Sequence, residues 1–316
     1  MPQESAAASR FCHLCGQPLT GHYFRNKRGL VFCASCSASR QRCMLCATPL
    51  GEADLGQARH NATESGMLCR QCARTTPRCA ACHRHIAGTF YTFEELLPPA
   101  AIRRFCAECA RSRPRCDICR APVAQDTAAL DDGQYRCALC AEQMVLGEPA
   151  VRTVYAQALT ALGRLVGTPP PPPRLEVVSR LQMGELRRRH ERDVPAGSAI
   201  PAASHHVLGY FVRRQGANTI YVERGLPRSL LLGTLAHELG HAWQAAYPAA
   251  VRDPLLAEGF AEWIAHHTLV ASGLRPVAAR ATRRDDVYGR GLRQLLEVER
   301  RAGREAVLAL ARGEER

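Results

Sequence analysis

No apolar run in this chain approaches the about 18 residues a helix needs to span a bilayer, so no membrane partner is expected. The opening stretch, MPQESAAASRFC, lacks the basic start and greasy core of a secretory signal, and a cytoplasmic location follows as the expectation. Sixteen cysteines without such a signal argue against disulfides and for metal binding in a reducing compartment. The formal charge of +13 invites a nucleic-acid reading but assumes neutral thiols. Sixteen thiolates holding four zinc ions would lower it to about +5, so nucleic-acid binding is not demanded. At 316 residues there is room for two domains.

The cysteines fall in eight C-x-x-C pairs, starting at Cys12, Cys33, Cys43, Cys69, Cys79, Cys106, Cys116 and Cys137. Gaps of 17, 22, 23 and 17 residues alternate with gaps of six, a unit of 31 to 37 residues repeated four times. Each pair makes a tight turn presenting two sulfurs to one ion, and two turns complete a tetrahedron. Sequential pairing groups Cys12, Cys15, Cys33 and Cys36, then Cys43, Cys46, Cys69 and Cys72. The third set is Cys79, Cys82, Cys106 and Cys109, and the fourth Cys116, Cys119, Cys137 and Cys140. Cross-bracing is the alternative, but the constant six-residue connectors favour units in a row. Hairpins such as HYFRNKRGLVFC, turning near Lys27-Arg28-Gly29, join the pairs. Units this small bury little core, so metal must supply their folding free energy. His13, His22, His83 and His85 lie near ligand sets that are already complete and are expected at the surface. The modules resemble LIM domains, whose two-zinc units bind protein segments, which implies a protein partner. Here, however, every ligand is cysteine and the spacer is six residues, so a nucleic-acid-binding zinc ribbon is the alternative.

Beyond Cys140 the repeat stops. Glu148 to Val166 predicts an amphipathic helix burying Val151, Val154, Ala158, Leu162 and Leu165. TPPPPPR (168–174) reads as a stiff spacer. LEVVSRL predicts a strand and MGELRRRHER a helix. Its basic run (Arg187, Arg188, Arg189, Arg192) reads as a solvated face, with contact to an acidic partner as the alternative. HHVLGYFVRRQGANTIYVERG (205–225) predicts two strands around a Gly-Ala-Asn turn, with His205 and His206 ahead of them in an ordinary surface or packing role, lining the cleft being the alternative.

GLPRSLLLGTLAHELGHAWQAAY (225–247) follows, and the rest of the chain reads as its support. Pro227 stands near a helix start, where its missing N–H costs nothing. Leu231, Leu235, Leu239 and Trp243 form one apolar stripe. His237 and His241, one turn apart, can reach a single metal ion, and Glu238 is placed to act as base on a water there. This is the H-E-x-x-H pattern of zinc hydrolases. Asp253-Pro254 opens a second helix, LLAEGFAEWIAHH, in which Glu258 comes seventeen residues after His241. A loop at Tyr247-Pro248 lets that helix fold back, making Glu258 a third ligand and leaving a fourth position open. Glu262, one turn on, could fix the tautomer of a ligand imidazole.

TIYVERGLPRSLLLGTLAHELGHAWQ, AEGFAEWIAH and DDVYGRGLR (285–293) resemble, in order and spacing, the LIM-domain zinc peptidases of plants that restrict organ growth and are activated by ubiquitin. RPRCDICRAPV through DDGQYRCALC (113–140) is similar to the zinc module preceding the peptidase in that family, so the likeness covers roughly residues 113 to 300. It implies a gluzincin, with His237, His241 and Glu258 on catalytic zinc and Glu238 as general base. It also implies an oxyanion donor after the ligand helix, for which Tyr288 is the candidate and His266 the substitute. Ubiquitin-interacting helices have no counterpart here; extra C-x-x-C pairs stand instead, so substrate and control are not carried over.

The expected fold class is α+β: a flexible 1–10, four tandem zinc modules over 11–142, a connecting helix and polyproline linker over 143–174, and a gluzincin-like domain over 175–316. That domain is expected to combine a small antiparallel sheet with active-site helices. The expected function is zinc-dependent cleavage of protein substrates, using one catalytic and four structural zinc ions, with the modules recruiting or regulating. One alternative is a DNA-associated metalloprotease, though such enzymes usually take a third histidine in place of Glu258. The other is a non-catalytic peptide-binding scaffold, for which Glu238 would have no use.

Overall fold

The computed structural model describes residues 11–38, 40–51, 66–94, 102–124, 127, 129–130, 133–193, 207–214, 217–247, 249 and 253–314. Residues 1–10, His205, His206, Gly216 of the expected turn and Pro248 lie outside them. The chain forms two compact units, Met1–Glu94 with Ile102–Cys116 and Arg120–Ala128, and Glu95–Ala101 with Asp117–Cys119 and Ala129–Arg316. Both combine helices with small sheets.

In the first unit β1 (Tyr23–Arg25) and β2 (Val31–Cys33) form an antiparallel hairpin leading into α1 (Ala34–Ala38). Next come α2 (Arg70–Thr75), the hairpin of β3 (Phe90–Glu94) and β4 (Ile102–Cys106), and α3 (Ala107–Ser112). The sequence repeat is a backbone repeat as well. Each first cysteine of a module donates its amide to the carbonyl five residues on and accepts from the amide four residues on: Cys12 with Gln17 and Gly16, Cys43 with Thr48 and Ala47, Cys79 with Arg84 and His83, and Cys116 with Ala121 and Arg120. The accepting turn puts Gly16, Ala47, His83 and Arg120 at φ of 72°, 59°, 59° and 62°. Three of the four are not glycine and hold the left-handed region against about 1–2 kcal/mol each, a strain that the two-sulfur turn imposes. Cys43, Cys46, Cys69 and Cys72 are themselves most of their module's buried core, with Leu50 and Leu68. His13, His22 and His83 are exposed, as expected. His85 is not: it is 3% exposed, with Nδ1 3.4 Å from the Thr76 carbonyl, because Arg78 and His85 bridge as a short antiparallel pair and turn the ring inward.

The second unit takes in α4 (Ala138–Glu142), α5 (Glu148–Val166), β5 (Arg174–Val178), α6 (Arg180–Asp193), β6 (Gly209–Arg214) and β7 (Ala217–Glu223). Then follow α7 (Arg228–Gln244), α8 (Pro254–Ala271), α9 (Arg275–Ala281), α10 (Val287–Ala302) and α11 (Arg304–Arg312). The sheet has the order β5-β7-β6 and is mixed rather than antiparallel: β6 pairs antiparallel to β7, and β5 parallel to it. Parallel neighbours need a crossover, and α6 with β6 supplies it. Arg214 pairs with Ala217, so Ala217 and Asn218, expected in the turn, are in the strand.

The helix expected over 148–166 forms and buries the expected face. Helix α5 buries Val151, Val154, Tyr155, Ala158, Leu162 and Leu165, and the Tyr155 hydroxyl donates to the Pro173 carbonyl at 2.6 Å. Of the fourth cysteine set, Cys116 falls in the first unit and Cys119, Cys137 and Cys140 in the second. Helix α8 lies between α7 and α10, around Trp243, Phe260 and Trp263. Glycines allow the approach. A Cβ on Gly240 would stand 2.7 Å from the Ala261 Cα, and one on Gly291 2.1 Å from the Leu255 carbonyl oxygen. Asp253 caps α8, accepting from the Leu255 amide at 3.0 Å. Among the described residues no helix is long and apolar enough to cross a membrane.

Candidate metal centres

The sixteen cysteines gather in the four expected sets, each with its sulfurs within 4.8 Å of one another. Sulfur pairs across the two turns stand at 3.8 Å (Cys15–Cys33), 3.7 Å (Cys46–Cys69), 4.0 Å (Cys82–Cys106) and 3.6 Å (Cys119–Cys137). A tetrahedron with zinc–sulfur bonds of about 2.3 Å has edges of about 3.8 Å. No cysteine is in a disulfide, and the four sets could hold zinc. Donors converge on the sulfurs, as they do around thiolates. The Cys72 amide lies 3.5 Å from Cys69, the Thr48 hydroxyl 2.9 Å from Cys46, and Arg28 donates to Cys72 at 2.9 Å. Arg28 comes from the first module's hairpin, whose Lys27 amide also donates to the Cys46 carbonyl at 3.0 Å. The first two modules are thus joined through one turn.

A fifth group is His237, His241 and Glu258. The two histidines share one face of α7, and α8 brings Glu258 across. The Nε2 atoms are 3.1 Å apart and lie 3.3 and 3.4 Å from Glu258 Oε2. Ligand bonds of about 2.0–2.1 Å to one tetrahedral ion give edges of about 3.3 Å. Glu258 Oε2 is buried and makes no hydrogen bond, which suits an atom that would bind a metal cation together with the two imidazoles. Burial opposes ionisation of Glu258, yet the two imidazoles hold its carboxyl far below the ordinary range. Glu262 Oε1 is 3.5 Å from His237 Nδ1, the ring nitrogen turned away from the triangle.

Glu238 is only 7% exposed. Strand β6 runs directly beside it: a Cβ on Gly209 would lie 2.9 Å from Glu238 Oε1. Burial, against the pull of both histidines and reinforced by Glu258, raises its pKa.

Tyr288 stands in the first turn of α10, where Asp286 accepts the Gly289 amide at 3.0 Å and starts the helix. Its ring centre is 5.8 Å from that of His237, and burial together with the Glu258 charge pushes its pKa up to about 12. His266 instead meets His267 and the backbone at Ala278.

Arg284 escaped the sequence reading. Its guanidinium bonds Asp286 at 2.6 and 2.9 Å, stands 3.5 Å from Glu262 and lies 4.8 Å above the Tyr288 ring. The only available signal was the R-x-D spacing ahead of VYGRG, which ordinary surface sequence shares. Compared with known protein families, curated proteins and solved structures, the chain matches none.

Proposed function

We propose that the second unit is a zinc-dependent endopeptidase acting on protein substrates, with His237, His241 and Glu258 as the ligands of its catalytic zinc. The observation that carries the reading is the triangle of ligand atoms at 3.1–3.4 Å with Glu238 alongside. Zinc in such a site supplies Lewis acidity and brings the pKa of water towards about 7. Glu238, its pKa raised by burial, takes a proton from the attacking water and returns it to the leaving amine. Tyr288, held protonated at neutral pH, donates a hydrogen bond to the oxyanion that develops on the scissile carbonyl. Glu262 orients His237, and the outer edge of β6 offers backbone groups to an extended substrate. The resemblance of the HELGHAW, AEGFAEWIAH and VYGRG runs to the LIM-domain zinc peptidases supports the same assignment.

The modules of the first unit fit protein recruitment, since Phe90, Tyr91 and Ile102 are exposed on one hairpin. Sixteen free thiols suit a reducing, cytoplasmic setting. The test is cleavage of a labelled unfolded protein by the full-length chain, wild type against Glu238→Gln, with metal content checked. Only the wild type should cut; equal cutting by Glu238→Gln would sink the proposal.

A further inference from the structure

We propose that the fourth cysteine module, three of whose four ligands (Cys119, Cys137 and Cys140) lie in the second unit, is coupled to α7: metal in it fixes the start of α7, and through α7 the position of His237, Glu238 and His241. The inference rests on the peptidase reading only for what those residues do.

Two tethers carry it. The first is a main-chain cap. Helix α7 opens on Pro227, which offers no side-chain cap, although the first amides of a helix need outside acceptors. The Arg228 amide finds one in the Gln143 carbonyl at 3.0 Å, three residues beyond the ligand Cys140. The Val145 amide donates to the Leu226 carbonyl at 2.9 Å, and Met144 bridges Pro227, so residues 143–145 run antiparallel to 226–228.

The second tether is a buried charge network. Arg136, next to the ligand Cys137, is 5% exposed, and Glu223, the last residue of β7, is 1% exposed. The Arg136 guanidinium is 3.8 Å from Glu223 and donates to the Gln134 side-chain oxygen, while Gln134 Nε2 donates to Glu223 at 3.2 Å. Asp117, beside Cys116, accepts the Tyr135 amide at 2.8 Å and Arg180 at 3.1 Å, and lies 4.0 Å from Arg136. Removing the cation from a buried carboxylate is strongly destabilising.

Neither tether can stand without the metal. Helix α4 has five residues, too few to persist alone, and a four-cysteine module folds only around its ion. The path is contiguous: Cys137 and Cys140 hold Arg136 and Gln143, which hold Glu223 and Arg228, at the foot of the helix that carries His237 two and a half turns on.

The test is hydrogen exchange on the full-length chain with metals counted. Cys140→Ser should lose one metal and speed exchange across 226–244 by about tenfold or more, leaving 287–302 unchanged. Cys72→Ser, in a first-unit cluster, should lose one metal and leave 226–244 unchanged. For wild type and Cys140→Ser, the fall in turnover should appear in kcat and not KM. If Cys140→Ser does not fold, Arg136→Met, Glu223→Gln and their double variant replace it. Each single variant should speed exchange in 226–244, and the double should be no worse than the worse single. Unchanged exchange in 226–244 after verified metal loss, or independent effects in the cycle, would overturn the proposal. A wild type that cuts nothing would remove the peptidase reading while leaving the exchange result to stand.

Discussion

Three side chains from two helices place three ligand atoms within 3.4 Å of one another. Glu258→Ala removes one corner without touching α7, so zinc should fall from five ions per chain to four by elemental analysis, while Glu238→Gln keeps all five. With no metal bound, burial disfavours a proton on His237, but Glu258, Glu262 and Glu238 outweigh it and lift its pKa to about 9. Neutral imidazole is the ligand, so loading near neutral pH must displace that proton. Apparent zinc affinity at this site should therefore rise with pH towards about 9 and level off above it, with a proton released that calorimetry in two buffers can count. Arg284 touches Glu262, Asp286 and the Tyr288 ring but no ligand atom. Arg284→Gln should lower kcat about 10–100-fold with zinc content and KM unchanged, and a loss confined to KM would reassign it to substrate binding.

At the scale of elements, α8 is held to its neighbours by the absence of side chains. Gly291→Ala drives a methyl into the Leu255 carbonyl and should cost about 1–3 kcal/mol or more in thermal unfolding, displacing Glu258 with α8. A variant as stable as the wild type would mean that the α8–α10 contact is looser than described. The same crossing explains what the sequence concealed. Helices α5, α7 and α8 were legible because apolar stripes, Pro254 and the Asp253 cap act locally. The packing role of Gly291 was hidden because it serves Leu255 and Gly259, far away in the chain. The parallel β5–β7 pair was hidden for a similar reason, since no local pattern says which strand a crossover returns to. His85 looked like a surface residue because spacing to cysteines says nothing about which way a short bridge turns its side chain. By contrast, both the cysteine pairing and the His237–His241–Glu258 group were readable, because ligand geometry imposes spacing that the sequence must carry.

Over the whole molecule, four cysteine clusters that could hold metal stand where a hydrophobic core stands elsewhere. About half of the first unit's buried residues are cysteines, whereas the second unit has an apolar core of its own, built on Trp243, Phe260 and Trp263. The formal charge of +13 fits this division, since thiolate centres absorb most of it. In the proposed endopeptidase these parts serve to hold Glu238 beside a metal and a peptide. That claim is tested most directly by sequencing new protein N-termini in a cell lysate incubated with wild-type chain or with Glu238→Gln, each carrying its full set of metals. The account predicts a set of new termini with the wild type alone. Identical termini in both samples, or none from a fully metallated wild type, would contradict it.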